Sequence, residues 1–212
     1  MTNVNDNGSA ITLTTEGAEV VVQNDGVKIG AAAINLDLQH FKQPEDIIDA
    51  QLMVQLHTIQ SDVHAAVAHA NGINMQDYQV LDNLVFAFFV ELGEVANEIE
   101  FFKHWKKDKR DNKKVQLEEV SDLFAFLMAI CDVKGYQKII REARPFEFYE
   151  DAEFMDMFLL LKRLELATFQ DVQSGFSLVL GIAKKLGFTV GQVVSAYLEK
   201  SGVNIERQES GY

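Results

Sequence analysis

The sequence predicts an all-α helical bundle with a short, β-hairpin-like arm at its N-terminus, and three features carry that prediction. Only 2 prolines stand among 212 residues, so little interrupts the long runs of good helix formers after residue 43. Within those runs apolar residues recur at three- and four-residue spacing, which gathers them on one helix face. Residues 1–43, in contrast, are rich in Thr, Val, Asn and Gly, and Asn24-Asp25-Gly26 between A-E-V-V-V-Q and V-K-I-G reads as a hairpin turn. The chain therefore divides into a strand-forming arm, residues 1–43, and an all-α domain, residues 44–212.

Composition narrows the function. A net charge of -13 argues against general binding of polymeric nucleic acid, which rests on neutralising phosphates with Lys and Arg. Nucleotide binding through a metal is left open. The single cysteine, Cys131, excludes an intrachain disulfide framework and reads as a plain core thiol in a reducing compartment. The start, M-T-N-V-N-D-N-G-S, has neither the basic residues nor the apolar run of a secretory signal. The most apolar stretch, Leu84 to Val90, meets a glutamate after 7 residues, too short to span a membrane. A cytoplasmic protein with no membrane partner is expected.

The helices follow in order. Pro44, Glu45 and Asp46 suit a first helical turn, where proline loses no hydrogen bond and acids meet the positive end of the dipole. That helix is expected to run to Asn71-Gly72, with Leu52, Leu56, Ile59 and Val63 toward the core and Gln60 and His64 together on another face. A second is expected from near Asp77 through Trp105, broken by K-K-D-K-R-D-N-K-K as a solvated loop. A third runs from about Val115 to Val133, before Gly135. Met155 to Leu166 and Phe169 to Leu186 form two more, the latter closed by Gly187. Thr189 with Gln192 makes a capping box for the last, which is expected to end near Gly202.

Four acids interrupt this pattern. Glu91 and Glu94 stand three apart in an apolar helical stretch, and so do Glu119 and Asp122, and residues three apart share a face. Two carboxylate pairs facing each other across a helix pair are unfavourable by several kcal/mol per uncompensated charge, about the cost of burying an ion without a partner. A hard divalent cation resolves this most simply. Mg²⁺ takes oxygen ligands and phosphates together, and can clamp a di- or triphosphate while activating water for in-line attack on phosphorus. Lys103 and Lys106, about three turns beyond the first pair, are candidates for the phosphate tail, and Asn97, three residues after Glu94, joins the candidate substrate contacts. Zinc is disfavoured by one cysteine and no His-x-x-x-His pair, and no P-loop or dinucleotide fingerprint occurs. The competing reading is a helical binding protein whose acids only pair with lysines.

E-L-G-E-V-A-N-E, then F-K-H-W-K, then L-E-E-V-S-D, with the closing run A-Y-L-E-K-S-G-V-N-I-E-R-Q-E-S-G-Y, resembles the dimeric dUTPases of bacteria, phages and trypanosomatids, within the all-α nucleoside triphosphate pyrophosphatase superfamily. The resemblance covers roughly residues 50–212. It implies a homodimeric, Mg²⁺-dependent hydrolase that converts dUTP, and also dUDP, to dUMP, with Glu91, Glu94, Glu119 and Asp122 as metal ligands. It also implies that Lys200, Asn204 and Arg207 reach the phosphates and sugar, with Tyr197 and Tyr212 nearby. Gln60 and His64 match loosely the places where the family reads the base. Gln60 offers an amide donor and acceptor, His64 one turn on is the candidate to hold it, and the aromatic residues around Trp105 and Phe126 are the alternative base contacts. Three positions depart from the family: Ala125 where a histidine is usual, Ser201 where an asparagine commonly follows the lysine, and His64 where an amide or acid is expected. These departures leave the same chemistry on dCTP or another nucleotide as the alternative.

Overall fold

The computed structural model describes residues 47–209 continuously, with side chains through 204, and in the N-terminal segment it traces only the backbone of short strands. These strands lie between Asn3 and Asn35 and pair in chain order as an antiparallel meander. The expected turn residues Asn24 and Asp25, and Pro44 with its two acids, lie outside the described residues. From residue 47 onward the described architecture is all helical: α1 (Ala50–Asn71), α2 (Tyr78–Ile99), α3 (Lys113–Val133), α4 (Phe154–Lys162), α5 (Phe169–Lys185) and α6 (Val190–Glu209). No single helix among them is long and apolar enough to cross a membrane.

α3 is the centre of the bundle. From Val120 to Cys131 it is buried on nearly every face, as a helix enclosed by others must be, and α1, α2, α5 and α6 all pack on it. Phe124 joins α3 to its neighbours, lying 5.3 Å from the Phe176 ring of α5 and 5.4 Å from Tyr197 of α6, both edge-on. Cys131 is buried, and burial pushes its thiol up to about 12, as befits an inert core residue.

Several boundaries differ from the expected ones, each for a local reason. α1 begins at Ala50, because Ile48 instead pairs with Ala143 through two 2.9 Å backbone bonds and the Asp49 carboxylate caps Leu52 N–H. α2 ends at Ile99, well before Trp105, because Glu100 turns left-handed at φ 57 and donates its own N–H to Ala96 O. α6 continues beyond Gly202 to Glu209. The Thr189–Gln192 box that opens α6 is present in both directions, and Gly187 at φ 90 closes α5.

One packing detail yields a prediction. A Cβ on Gly181 would lie 2.7 Å from Phe146 O and 2.7 Å from the Phe148 ring, and Phe146 cannot retreat freely because its N–H donates to Ser177 O at 2.7 Å. Gly181→Ala is therefore expected to destabilise the protein by about 1–3 kcal/mol, the usual cost of overpacking, read as a lower Tm or urea midpoint.

Candidate functional site

The inward edge of α2 carries Leu92, Val95 and Ile99 into the core, and that packing sets Glu91 against the start of α3. Val120 and Leu123 anchor α3 in the same way and leave Glu119 and Asp122 beside it. Carboxylate oxygens of Glu91, Glu119 and Asp122 all lie within 4.8 Å of one another. Glu94 is exposed and stands outside this close group, although its charge still acts on Glu91 and Glu119. The sequence-level expectation of four equivalent acids is thus met by three that converge and one that does not.

Burial, then the neighbouring Asp122 charge, pushes Glu91 and Glu119 above the usual carboxylate range. Burial also pushes Asp122 up, against the pull of Lys200, whose Nζ donates to Asp122 Oδ2. Among the described residues, Lys200 is the one cation paired with this group of two half-buried carboxylates and one buried one. An all-oxygen donor set under mutual repulsion fits a hard cation such as Mg²⁺, and does not fit the nitrogen and sulfur preferences of zinc.

A pocket of about 560 Å³ opens beside the acids and is walled by α1, α2, α3 and α6. Glu91, Asp122 and Lys200 stand in its wall with Gln60, His64 and Tyr197. Asn204, Phe126 and Ala125 also face it. Apolar side chains such as Val63, Leu84 and Met75 fill the spaces between the polar groups.

The structure corrects how Gln60 is held. Tyr197 OH donates to Gln60 Oε1 at 3.0 Å, so the tyrosine of α6, and not His64, orients that amide. His64 is engaged elsewhere, with Nδ1 2.7 Å from Asp132 Oδ2. The other oxygen of Asp132 accepts from Ser61 Oγ at 2.6 Å and from Gln137 Nε2 at 2.7 Å. Asp132 went unread in the sequence. Its signal was its position about 15 Å along α3 from Asp122, beside the His64 end of α1.

Asn97, Lys103, Lys106 and Trp105 are not brought to this pocket. Lys103 Nζ donates to Asn97 Oδ1 at 2.8 Å and to Glu100 at 3.0 Å, while Lys106 Nζ donates to Glu100 at 2.5 Å. Trp105 is 68% exposed in the connecting loop. Arg207 lies on α6 with its side chain outside the described residues, and Tyr212 is outside them altogether. The Lys-rich segment is an exposed loop, as expected, and Glu100, only 2% exposed, tethers its start by gathering Lys103, Lys106 and the Arg110 N–H onto its carboxylate. The hydrogen bond from Lys106, reinforced by Lys103 and Arg110, overcomes burial and holds Glu100 down to about 2. Glu100→Gln should therefore loosen residues 101–112 and lower the Tm, seen as faster amide exchange in that segment than in α3.

A class follows from these features: an all-helical protein whose acid-walled pocket is bounded by four helices. The chain belongs to the dUTPase family, since that family's model, described as dUTPase, matches residues 52–212. The match takes in all six helices except the first residues of α1. No curated protein matches the chain.

Proposed function

We propose that this protein is a Mg²⁺-dependent pyrophosphatase that hydrolyses dUTP, and dUDP, to dUMP. One observation carries the proposal: two of the three converging carboxylates, Glu91 and Asp122, stand with the tyrosine-held Gln60 in the wall of the same pocket. Glu91, Glu119 and Asp122 would hold the cation, with Glu94, whose charge acts on Glu91 and Glu119, as the fourth acid of the set. When bound, Mg²⁺ supplies charge neutralisation on the phosphates and a more acidic water.

The chain's own groups divide the remaining work. Lys200 and Asn204 meet the phosphate and sugar, the lysine as a point charge that exchanges its bond to Asp122 for one to phosphate. Arg207, further along α6, is proposed to add a bidentate contact. Tyr197 keeps Oε1 of Gln60 occupied, which leaves the Gln60 Nε2–H₂ as the donor toward a base carbonyl. Val63, Leu84 and Phe126 exclude water around the base and sugar.

The helical unit of residues 44–212 is proposed to act as a homodimer in the cytoplasm, with residues 1–43 as an appended strand-built arm. Phe86 and Val90, one turn apart on α2, are 73% and 47% exposed, which suits a face covered by a second copy. Light scattering should give twice the mass of one chain. The catalytic proposal is tested with a panel of deoxynucleoside triphosphates and Mg²⁺, following nucleoside monophosphate and pyrophosphate. dUTP should be turned over first among them, and preferred turnover of another base would overturn the assignment.

A further inference from the structure

We propose that Asp132 is a positioning residue for base recognition, fixing the His64 ring so that its Nε2 lone pair accepts the N–H of a uracil imide. The inference rests on the reading of this pocket as a dUTP site, and it adds a residue outside the acid cluster and outside the pocket wall.

The geometry fixes the tautomer. Asp132 is ionised, because although burial pushes it up, the hydrogen bonds from His64, Ser61 and Gln137 outweigh that and hold it below the usual carboxylate range. An ionised carboxylate only accepts, so His64 Nδ1, 2.7 Å away, must carry the hydrogen. In the neutral ring Nε2 is then left as a lone pair. The ring lines the pocket, and among the described residues Nε2 has no hydrogen-bond partner. One turn back on the same helix, Gln60 has its Oε1 occupied by Tyr197 and keeps its amide hydrogens. α1 thus offers a donor and an acceptor one turn apart, each held from behind by a residue of another helix.

That pair matches the imide edge of uracil, where a carbonyl accepts and N3–H donates. Cytosine carries a lone pair at N3, which would face the Nε2 lone pair in the same pose. Such a mismatch leaves buried polar groups unpaired and discriminates strongly. In this chain the tautomer of a histidine, set by an aspartate behind it, does what an amide side chain could not do alone, since a free amide can flip.

Asp132→Asn tests this sharply because the amide cannot choose its orientation. The Asp132 oxygen that receives both Ser61 and Gln137 must stay an oxygen, so the new amide nitrogen faces His64 Nδ1 and forces the hydrogen to Nε2. The full chain, ¹⁵N-labelled, would be examined by NMR at about pH 8.5, and the same protein assayed with dUTP and dCTP. Wild type should show the Nδ1–H tautomer, and saturating dUMP, unlike dCMP, should shift its Nε2 resonance. Asp132→Asn should show the Nε2–H tautomer, with KM for dUTP raised at least about tenfold, kcat little changed, and the dUTP to dCTP ratio in kcat/KM reduced by a similar factor. On a His64→Asn background the same substitution should leave that ratio unmoved.

A wild-type Nε2–H tautomer, an Nε2 resonance indifferent to dUMP, or an unchanged ratio in Asp132→Asn would each overturn the inference. The first two need no variant, so they decide even if Asp132→Asn fails to fold. Wild type that shows the expected tautomer but neither binds dUMP nor turns over dUTP would overturn the dUTP reading itself, and the base-reading role with it, while leaving the Asp132–His64 link in place.

Discussion

Glu119→Gln is expected to lower dUTP turnover by more than about 100-fold, since even residues behind a metal ligand cost 10–100-fold and this one would be a direct ligand. The metal-free variant should be as stable as wild type or more so. Burial, then the like charges of Asp122, Glu91 and Glu94, act against the charged form of Glu119, and Lys200 acts in its favour. Removing its charge relieves repulsion while removing a ligand.

A pH series checks the sign. A carboxyl whose folded pKa is raised holds its proton after the unfolded chain has lost its own, so it favours the fold at low pH and disfavours it once pH rises through the raised value. Glu91, Glu119 and Asp122 all shift this way. Metal-free wild type should therefore gain stability as pH falls into the window just above the ordinary carboxylate value of ~4, and Glu119→Gln should gain less. Glu100 runs opposite: held at about 2, it stabilises fully above the ordinary range and is lost as pH falls toward that value. Thermal melts across this range, with and without Mg²⁺, separate the two. A variant that loses stability without metal at neutral pH would contradict the account.

The second large effect belongs to Gln60→Leu. The substitution keeps side-chain bulk but leaves Tyr197 OH, buried among α1, α3 and α6, without its acceptor. Stability should fall by about 1–3 kcal/mol, the cost of an unpaired buried donor. The same change removes the amide proposed to meet the base, so kcat/KM for dUTP should fall at least about 100-fold, as for a site built around a polar pair. Mg²⁺ affinity should be nearly unchanged, because Gln60 is not among the clustered acids. Calorimetric titration of the metal beside steady-state kinetics distinguishes this from general damage, which would weaken both.

Much of this was legible in the residues because it depends on period alone. The span of α3, the core positions Leu52, Leu56, Ile59 and Val63, and the Thr189–Gln192 box all follow from local spacing. The convergence of Glu91, Glu119 and Asp122 was readable too, since acids inside apolar helical runs must face something. What escaped reading depended on contacts distant in sequence. The end of α2 at Ile99 is set by a buried carboxylate at Glu100 that collects cations from the following loop, and the same lysines looked like phosphate ligands when only their charge was visible. The start of α1 waits on the bridge from Ile48 to Ala143, nearly a hundred residues away. Glu94 shares a face with Glu91 by period yet stays exposed, a difference that spacing could not show because Glu119 and Asp122 have the same spacing and both converge. The partners of Gln60 and His64 escaped reading for the same reason: Tyr197 and Asp132 lie 137 and 68 residues off, beyond any local pattern.

The central claim joins a divalent cation at the acid cluster to hydrolysis of dUTP in the adjoining pocket. The most direct measurement is the rate of dUMP release from dUTP by the full chain as Mg²⁺ is titrated from a chelated start, for wild type and Glu119→Gln side by side. The account predicts no release under chelator, saturable activation in wild type, and little or none in the variant at any Mg²⁺ concentration. Release that persists under chelator, or equal activation of both proteins, would contradict it.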